Sequence, residues 1–167
     1  MSEEVVVVNE NDEIIGTMPK DEAHKNGVPH RIAVTYVENT SGQILVQIRM
    51  SGSLDHSSAG HVEVGESYED AARRELEEEL GIKDVDLAYI GKGSSDENYG
   101  HDGGHRVHFF HVFRCKAEPG QIQQDEVSGI YWADPEEVLK EMQIEPREKV
   151  FAGGFLVSLP IYLASKK

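Results

Sequence analysis

The sequence has one cysteine and no long hydrophobic run, and each shortage excludes a class of protein. Cys115 has no second cysteine in the chain to pair with, so an internal disulfide is excluded and a reducing cytoplasm is compatible. No stretch of about 18 apolar residues occurs, so we expect no membrane span. The first residues lack the basic and apolar regions of a signal peptide. The sequence therefore predicts a cytoplasmic protein without a membrane partner.

Basic residues are also scarce, at 16 against 31 acidic ones, which gives a net charge of −15. Because Lys and Arg contacts supply most of the affinity for nucleic acids, we expect no nucleic acid polymer as a partner. A small phosphorylated ligand stays compatible with this charge if a divalent cation accompanies it. The length of 167 residues and the 38% hydrophobic content predict a single domain over residues 1–167.

Hydrophobic patterns and turn residues predict strands on both sides of one strong helix, with further helices towards the end. This order is typical of an α/β or α+β sandwich. The predicted strands form one hairpin over 5–17 and a stronger one from 31–37 and 43–50, followed by 85–91, 106–116 and 127–133. The predicted helices are a short helix or turn within 19–30, then 67–80, 135–142 and a last helix from 146 that is interrupted at Pro160. The predicted loops are 51–60 and 92–105.

The helix over 67–80 has the clearest signals at its two ends. Ser67 and Asp70 match a capping box, and Gly81 stands where a left-handed residue ends a helix. At about 100° per residue, an apolar stripe that can pack on a sheet is formed by Ala72, Leu76 and Leu80.

The same helix concentrates acidic residues on one narrow face. Glu75, Glu78 and Glu79 share this face, whereas Glu77 points to solvent, where Arg73 can pair with it. A solvated charged face is the usual meaning of such a helix. However, no Lys occurs between Ser67 and Ile82, and the glycine-bearing loop AGHVEVGE precedes the helix. Clustered oxygen ligands suit Mg²⁺ or Mn²⁺, and such clusters often serve phosphate chemistry.

The stretch 60–82, GHVEVGESYEDAARRELEEELGI, resembles the Nudix box without a departure. The box runs Gly, five residues, Glu, seven residues, Arg-Glu, an aliphatic residue, any residue, Glu-Glu, any residue, Gly and an aliphatic residue. Its fixed positions are filled by Gly60, Glu66, Arg74, Glu75, Leu76, Glu78, Glu79, Gly81 and Ile82. The resemblance implies a Nudix-type α/β/α sandwich with a mixed sheet, and hydrolysis of a diphosphate bond with Mg²⁺ or Mn²⁺.

The resemblance also implies a role for individual residues of the box. Arg74 would hold the neighbouring carboxylates in place, and Glu66 would take part in this bracing. The catalytic base lies outside the box and varies in the superfamily; Glu126 is our choice, Glu97 is a second candidate, and a plain loop acid is the alternative. The metal ligands would be the Gly60 carbonyl, Glu75, Glu78 and Glu79. The residues predicted to contact substrate are His30, Arg31, Glu63, Tyr99 and His101.

The N-terminal half resembles isopentenyl-diphosphate isomerases and the Nudix hydrolases most similar to them. His24, His30 and His61 fall near places where the isomerases hold a metal, and His-rich sites favour Mn, Zn or Fe over Mg. The alternative interpretation, which we favour, is that His24 and His30 are polar residues of a turn and a strand end. The isomerases need a cysteine before the Gly-His pair, whereas this chain has Ala59, and Cys115 lies in another strand. We therefore predict a hydrolase of a nucleoside diphosphate derivative or a similar small diphosphate.

Two further alternatives concern the function and the assembly. A ligand-sensing Nudix module without catalysis usually has a broken box, which this chain does not have. The strand HRVHFFHVF could stack a nucleobase, although a Phe-rich strand is more typical of core packing. The apolar segment near the C-terminus could cap the core or form a homodimer.

Overall fold

The computed structural model describes residues 3–100, 103–145 and 149–167, and it has a mixed α+β fold. The strands are β1 (Glu4–Val8), β2 (Ile14–Pro19), β3 (His30–Glu38), β4 (Ile44–Arg49), β5 (Leu54–Asp55), β6 (Ser58–His61), β7 (Ala88–Asn98), β8 (His105–Lys116) and β9 (Val127–Ala133). The helices are α1 (Lys20–Asn26), α2 (Tyr68–Leu80), α3 (Pro135–Gln143) and α4 (Gly153–Ser165). Within these described ranges, no helix is long and apolar enough to cross a membrane.

Strand β3 is the centre of a curled, mixed sheet. It pairs in parallel with β8 along one edge, and antiparallel with β1, β6 and β4 along the other. The hairpin partner of β8 is β7, while β4 continues the sheet to β5 and β9. β2 pairs with β1 at the end of the strand order.

Alternation of side chains along β3 separates two cores on the two faces of the sheet. Ile32, Val34 and Tyr36 pack with Phe155 and other residues of α3 and α4. The intervening residues face α2, whose own apolar stripe completes two further clusters. This arrangement confirms the predicted α/β/α sandwich. It also confirms the core interpretation of the Phe-rich strand, because its phenylalanines at 110 and 113 are buried in these clusters.

Helix α2 has the predicted ends and the predicted buried stripe. The Ser67 hydroxyl accepts a hydrogen bond from the Asp70 backbone N–H at 3.0 Å, and the Asp70 carboxylate accepts one from the Ser67 N–H at 3.2 Å. Gly81 follows in the left-handed conformation, with φ of 65°. Burial of the stripe fixes which face of the helix points towards the sheet. The buried stripe residues include Ala72, Leu76 and Leu80.

One ion pair predicted on α2 is wrong. Glu77 faces solvent as expected, but Arg73 pairs with Glu69 at 3.0 Å, one turn earlier, and also donates to the Val85 carbonyl. Glu77 is instead 3.2 Å from Lys83, which follows the helix. Glu69 and Glu77 lie one turn to either side of Arg73, so sequence spacing alone could not choose between them.

The predicted hairpin of 31–37 and 43–50 is wrong as a pairing. Its strands exist as β3 and β4, but they pair only at Glu38 and Ile44. The reason is that β6 occupies this edge of β3, pairing with residues 32–35, so β4 leaves β3 and pairs with β9. The segment 51–60, predicted as a loop, supplies this competing strand and also β5.

Three other element boundaries differ from the prediction. The polar segment 92–105 is mostly strand, because β7 runs from Ala88 to Asn98 and pairs with β8 over its length. Its exposed strand residues have the same composition as a loop, which explains the error. Pro160 does not interrupt α4, which continues to Ser165. The last helix, predicted from 146, begins at Gly153, and Pro146 itself lies outside the described residues.

Candidate active site

Glu79 is the most deeply buried carboxylate of the predicted metal ligands, at 4% exposed. Its Oε1 accepts hydrogen bonds from the Ser58 hydroxyl at 2.8 Å and from the Ala59 backbone N–H at 3.1 Å. The Gln47 amide donates to Oε2 at 3.4 Å. These donors come from β4 and β6, so the sheet fixes the orientation of a carboxylate that α2 supplies.

Glu75 lies one turn before Glu79 and packs directly on the backbone of β6. A Cβ atom at position 60 would overlap the carboxyl carbon of Glu75, so this approach requires Gly60. Arg74 donates to Glu75 Oε1 at 2.7 Å. The glycine that begins the box is therefore needed because a carboxylate fills the space of its missing side chain.

Arg74 connects most of the acidic groups around the site. It donates twice to Glu66, at 2.8 and 3.0 Å, and once to the His61 carbonyl at 2.9 Å. Its Nη1 also donates to Glu78 at 3.2 Å and lies 3.8 Å from Glu63. This geometry has the form that the bracing role of Arg74 and Glu66 requires.

The three carboxylates that converge are Glu75, Glu79 and Glu126, with one oxygen of each within 4.8 Å of the others. Glu126 comes from the segment just before β9. Glu78, which shares the helix face, has a side chain that is 55% exposed and lies next to Arg74. Glu97, the second candidate for the base, is on β7, where its carboxyl packs on Gly153 at the start of α4.

Burial makes two of these carboxyl groups weaker acids than usual. Burial raises the pKa of Glu75 to about 7, although Arg74 opposes the shift. Burial, followed by the charge of Glu75, raises the pKa of Glu79 to about 8. Without a cation, the burial of two neighbouring carboxyl groups favours their neutral, protonated form. Three converging oxygen donors of this kind fit Mg²⁺ or Mn²⁺.

The residues predicted to contact substrate are placed in different parts of the molecule. Arg31 is 2.9 Å from Asp12 and lies over the ring of Tyr68, on the α2 side of the sheet. Glu63 is on the rim of the Arg74 network. Tyr99 is exposed and donates its hydroxyl proton to Glu97. His101 lies outside the described residues.

The remaining predicted contact, His30, is completely buried at the start of β3. The structure brings it together with His24 of α1, His61 of β6 and a fourth histidine, His108 of β8. His24 thus lies in a helix rather than in a turn, while His30 is at a strand end, as we favoured, and is buried there. The geometry favours membership of this cluster for His30 over contact with a phosphate.

Sequence reasoning missed several residues that shape the carboxylate site. Gln47 and Ser58 donate to Glu79 from positions that carry no motif; the available signal was a polar residue within otherwise apolar β4. Arg49 contacts Asp55 at 2.8 Å. Burial would lower the pKa of Arg49, but Asp55 and, less strongly, Glu79 and Glu126 raise it. This cation therefore feels the field of the carboxylate site.

Comparison with known proteins identifies the class of protein. The NUDIX domain family matches residues 28–153, so the chain belongs to the Nudix family and is a Nudix hydrolase by its family. It is 36% identical over 144 residues to a Shigella flexneri protein described as the uncharacterized Nudix hydrolase YfcD, covering 82% of this chain and 77% of that protein.

The isomerase branch also appears among the relatives. The chain is 31% identical over 159 residues to an isopentenyl-diphosphate Delta-isomerase of Pectobacterium atrosepticum, covering 87% of this chain and 84% of that protein.

The crystal structure of DR0079 from Deinococcus radiodurans has the same fold, with a TM-score of 0.75, 24% identity and coverage of 95% and 97% of the two chains.

Proposed function

We propose that this protein is a pyrophosphohydrolase that cleaves the diphosphate bond of a nucleoside diphosphate derivative or a similar small diphosphate, using Mg²⁺ or Mn²⁺. We further propose that it acts in the cytoplasm. The observation that carries the proposal is the convergence of Glu75, Glu79 and Glu126, two of them buried beside one another. Such a group of carboxylates is costly to bury unless a cation neutralises it.

In this proposal each residue of the site has a separate task. Glu75 and Glu79 hold the divalent cation, together with the Gly60 carbonyl and Glu78 on the open side. When bound, such a cation neutralises phosphate oxygens and makes a water molecule more acidic. Arg74 keeps Glu75 and Glu66 in place, and Ser58 and Gln47 fix the rotamer of Glu79.

Glu126 is proposed as the base that accepts the proton of the attacking water. It is the exposed member of the converging group, so water and substrate can reach it. Glu97 is the weaker candidate, since its carboxyl packs on α4 and accepts from Tyr99. Replacing Glu126 with Gln should lower kcat by about 10²–10⁴-fold, whereas Glu97→Gln should leave kcat near the wild-type value.

A second candidate function is isomerisation of an isoprenoid diphosphate, favoured by the relative of that name and by the histidine cluster. Position 59 argues against it, because alanine has no group that can move a proton. Hydrolysis is therefore the better proposal.

The test is a screen for release of phosphate or of a nucleoside monophosphate in the presence of Mg²⁺ or Mn²⁺. The substrates should include nucleotide sugars, nucleoside di- and triphosphates, dinucleoside polyphosphates and isopentenyl diphosphate. We expect wild-type protein and Glu77→Gln to be equally active and Glu79→Gln to be inactive, since Glu77 lies on the solvent face of the same helix. Equal inactivity of all three on every compound would refute hydrolysis, and formation of an allylic isomer would establish the second candidate.

A further inference from the structure

Four histidines meet on the face of the sheet opposite α2, and each comes from a different element. His24 is on α1, His30 begins β3, His61 ends β6 and His108 is on β8. One ring nitrogen of each lies within 4.8 Å of the corresponding nitrogens of the others. The group contains no carboxylate, so its chemistry differs from that of the glutamate site.

The rings are arranged almost as a regular tetrahedron. The six distances between ring centroids lie between 4.6 and 5.6 Å. Four imidazoles bound to one tetrahedral ion, with metal–nitrogen distances of about 2.0–2.1 Å, would have their centroids about 5 Å apart. The same geometry requires about 3.3 Å between neighbouring nitrogens, and Nε2 of His24 is 3.1 Å from Nε2 of His30. Neither separation needs a large rearrangement.

The hydrogen bonds of the cluster are compatible with lone pairs on the inward nitrogens, since the contact of His24 Nε2 with His30 Nε2 is one that a shared ion would replace. His30 Nδ1 lies 2.8 Å from the Val28 carbonyl oxygen, which can only accept, so the proton of a neutral His30 is on Nδ1 and its Nε2 carries a lone pair. Nε2 of His61 and Nε2 of His108 are buried and have no hydrogen-bond partner within the described part of the chain. A buried nitrogen without a partner is costly, and a metal ion would remove that cost at both positions.

We propose that His24, His30, His61 and His108 bind one divalent transition-metal ion, of which Zn²⁺ fits best, in a closed tetrahedral site. Imidazole is a preferred ligand of Zn²⁺ and a poor one for Mg²⁺. Four protein ligands leave no position for water or substrate, which is the pattern of a structural site. The ion joins α1 to β3, β6 and β8.

This structural site also adjoins the glutamate site through β6. His61 directly follows Gly60, and its backbone carbonyl accepts a hydrogen bond from Arg74 at 2.9 Å. An ion that fixes His61 therefore limits the movement of Gly60 against Glu75. The glutamate site and the histidine site face opposite sides of the same short strand.

The direct test is the metal content of protein purified without a polyhistidine tag and dialysed against excess Mg²⁺. We expect about one Zn²⁺ per chain in wild type and in Glu79→Gln, since the glutamate site is not involved. His108→Ala should bind Zn²⁺ at least ~10-fold more weakly, because the loss of a direct ligand costs at least as much as the loss of a neighbouring support. His111→Ala is the matched control, three residues along β8 on the other face.

A second ligand variant and a spectroscopic readout protect the test against misfolding. His24→Ala alters a short surface helix and should lose the metal while it keeps its circular dichroism spectrum. Wild type loaded with Co²⁺ should show the strong visible absorption of a tetrahedral ion. Absence of Zn²⁺ after incubation with the metal, a six-coordinate Co²⁺ spectrum, or equal Zn²⁺ affinity of His24→Ala, His108→Ala and wild type would overturn the proposal, whatever the hydrolase screen shows.

Discussion

At the scale of single residues, Gly60 decides how closely a carboxylate can approach the sheet. Gly60→Ala would force Glu75 away, because the new Cβ overlaps its carboxyl carbon. The clash involves the end of a side chain rather than backbone, so we expect a modest loss of stability. Activity should fall about 10- to 100-fold, as it does when the support of a metal ligand is removed. Steady-state kinetics and a thermal melt, measured on the same sample, separate the two effects.

Arg74 offers a second test at this scale, because its fork of donors contacts Glu66, Glu75 and the His61 carbonyl together. Arg74→Lys keeps the charge but cannot make all these contacts. We expect a lower kcat and a higher Mg²⁺ concentration for the half-maximal rate. Arg73→Lys is the matched control, since Arg73 contacts Glu69 and the Val85 carbonyl, away from the carboxylate site. Equal kinetics of the two variants would contradict the bracing role.

At the scale of elements, the capping box of α2 supports the helix that supplies the carboxylates. Ser67→Ala removes the acceptor for the Asp70 N–H and should lower the free energy of unfolding by about 1 kcal/mol. Ser67→Thr keeps the hydroxyl and should lose much less. Urea denaturation measures both variants. A loss of activity under conditions in which Ser67→Ala is still folded would show that the helix start has a further role.

The sequence allowed α2 to be predicted almost completely, because its signals are local. The capping residues, Gly81 and the stripe of Leu76 and Leu80 interact within the helix or through its periodicity. The predicted pairing of β3 with β4 was wrong because β6 occupies the same edge of β3, and β6 has only four residues and no strand signal. The second half of β7 was predicted as a loop because its exposed polar residues resemble those of a loop.

The candidate site was predictable from the Nudix box and from the choice of Glu126, which lies outside it. The box names Glu75 and Glu79, but the sheet decides that Glu126, rather than Glu78, converges with them. The histidine cluster could not be completed from the sequence, because His108 reaches the other three through the parallel pairing of β3 and β8. Non-local strand pairing therefore accounts for most of what was missed.

At the scale of the whole molecule, we expect the buried carboxylates to link stability to pH and to Mg²⁺. Without metal, the pKa values of Glu75 and Glu79 are raised to about 7 and about 8, so these two groups bind more protons in the native state than in the unfolded state between about pH 4.5 and 8. Stability of the metal-free protein should therefore fall as pH rises from 7 to 8.5.

Thermal melts with and without Mg²⁺ at pH 7 and pH 8.5 measure this linkage. Mg²⁺ should raise the melting temperature more at pH 8.5, because it replaces the protons. Glu79→Gln should show a weaker fall with pH. Melting temperatures that rise with pH over this range in metal-free wild type would contradict the account.

The single domain over 1–167 and the homodimer stay predictions, which limited proteolysis and light scattering would test.

The central claim is that one face of α2 holds divalent cations through Glu75 and Glu79. Calorimetric titration with Mg²⁺ of wild type, Glu79→Gln and Glu77→Gln tests it most directly, because the two variants make the same substitution two residues apart on opposite faces of one helix. We predict that Glu77→Gln binds Mg²⁺ as wild type does and that Glu79→Gln binds it at least ~10-fold more weakly. Equal Mg²⁺ affinity of all three proteins would contradict the claim.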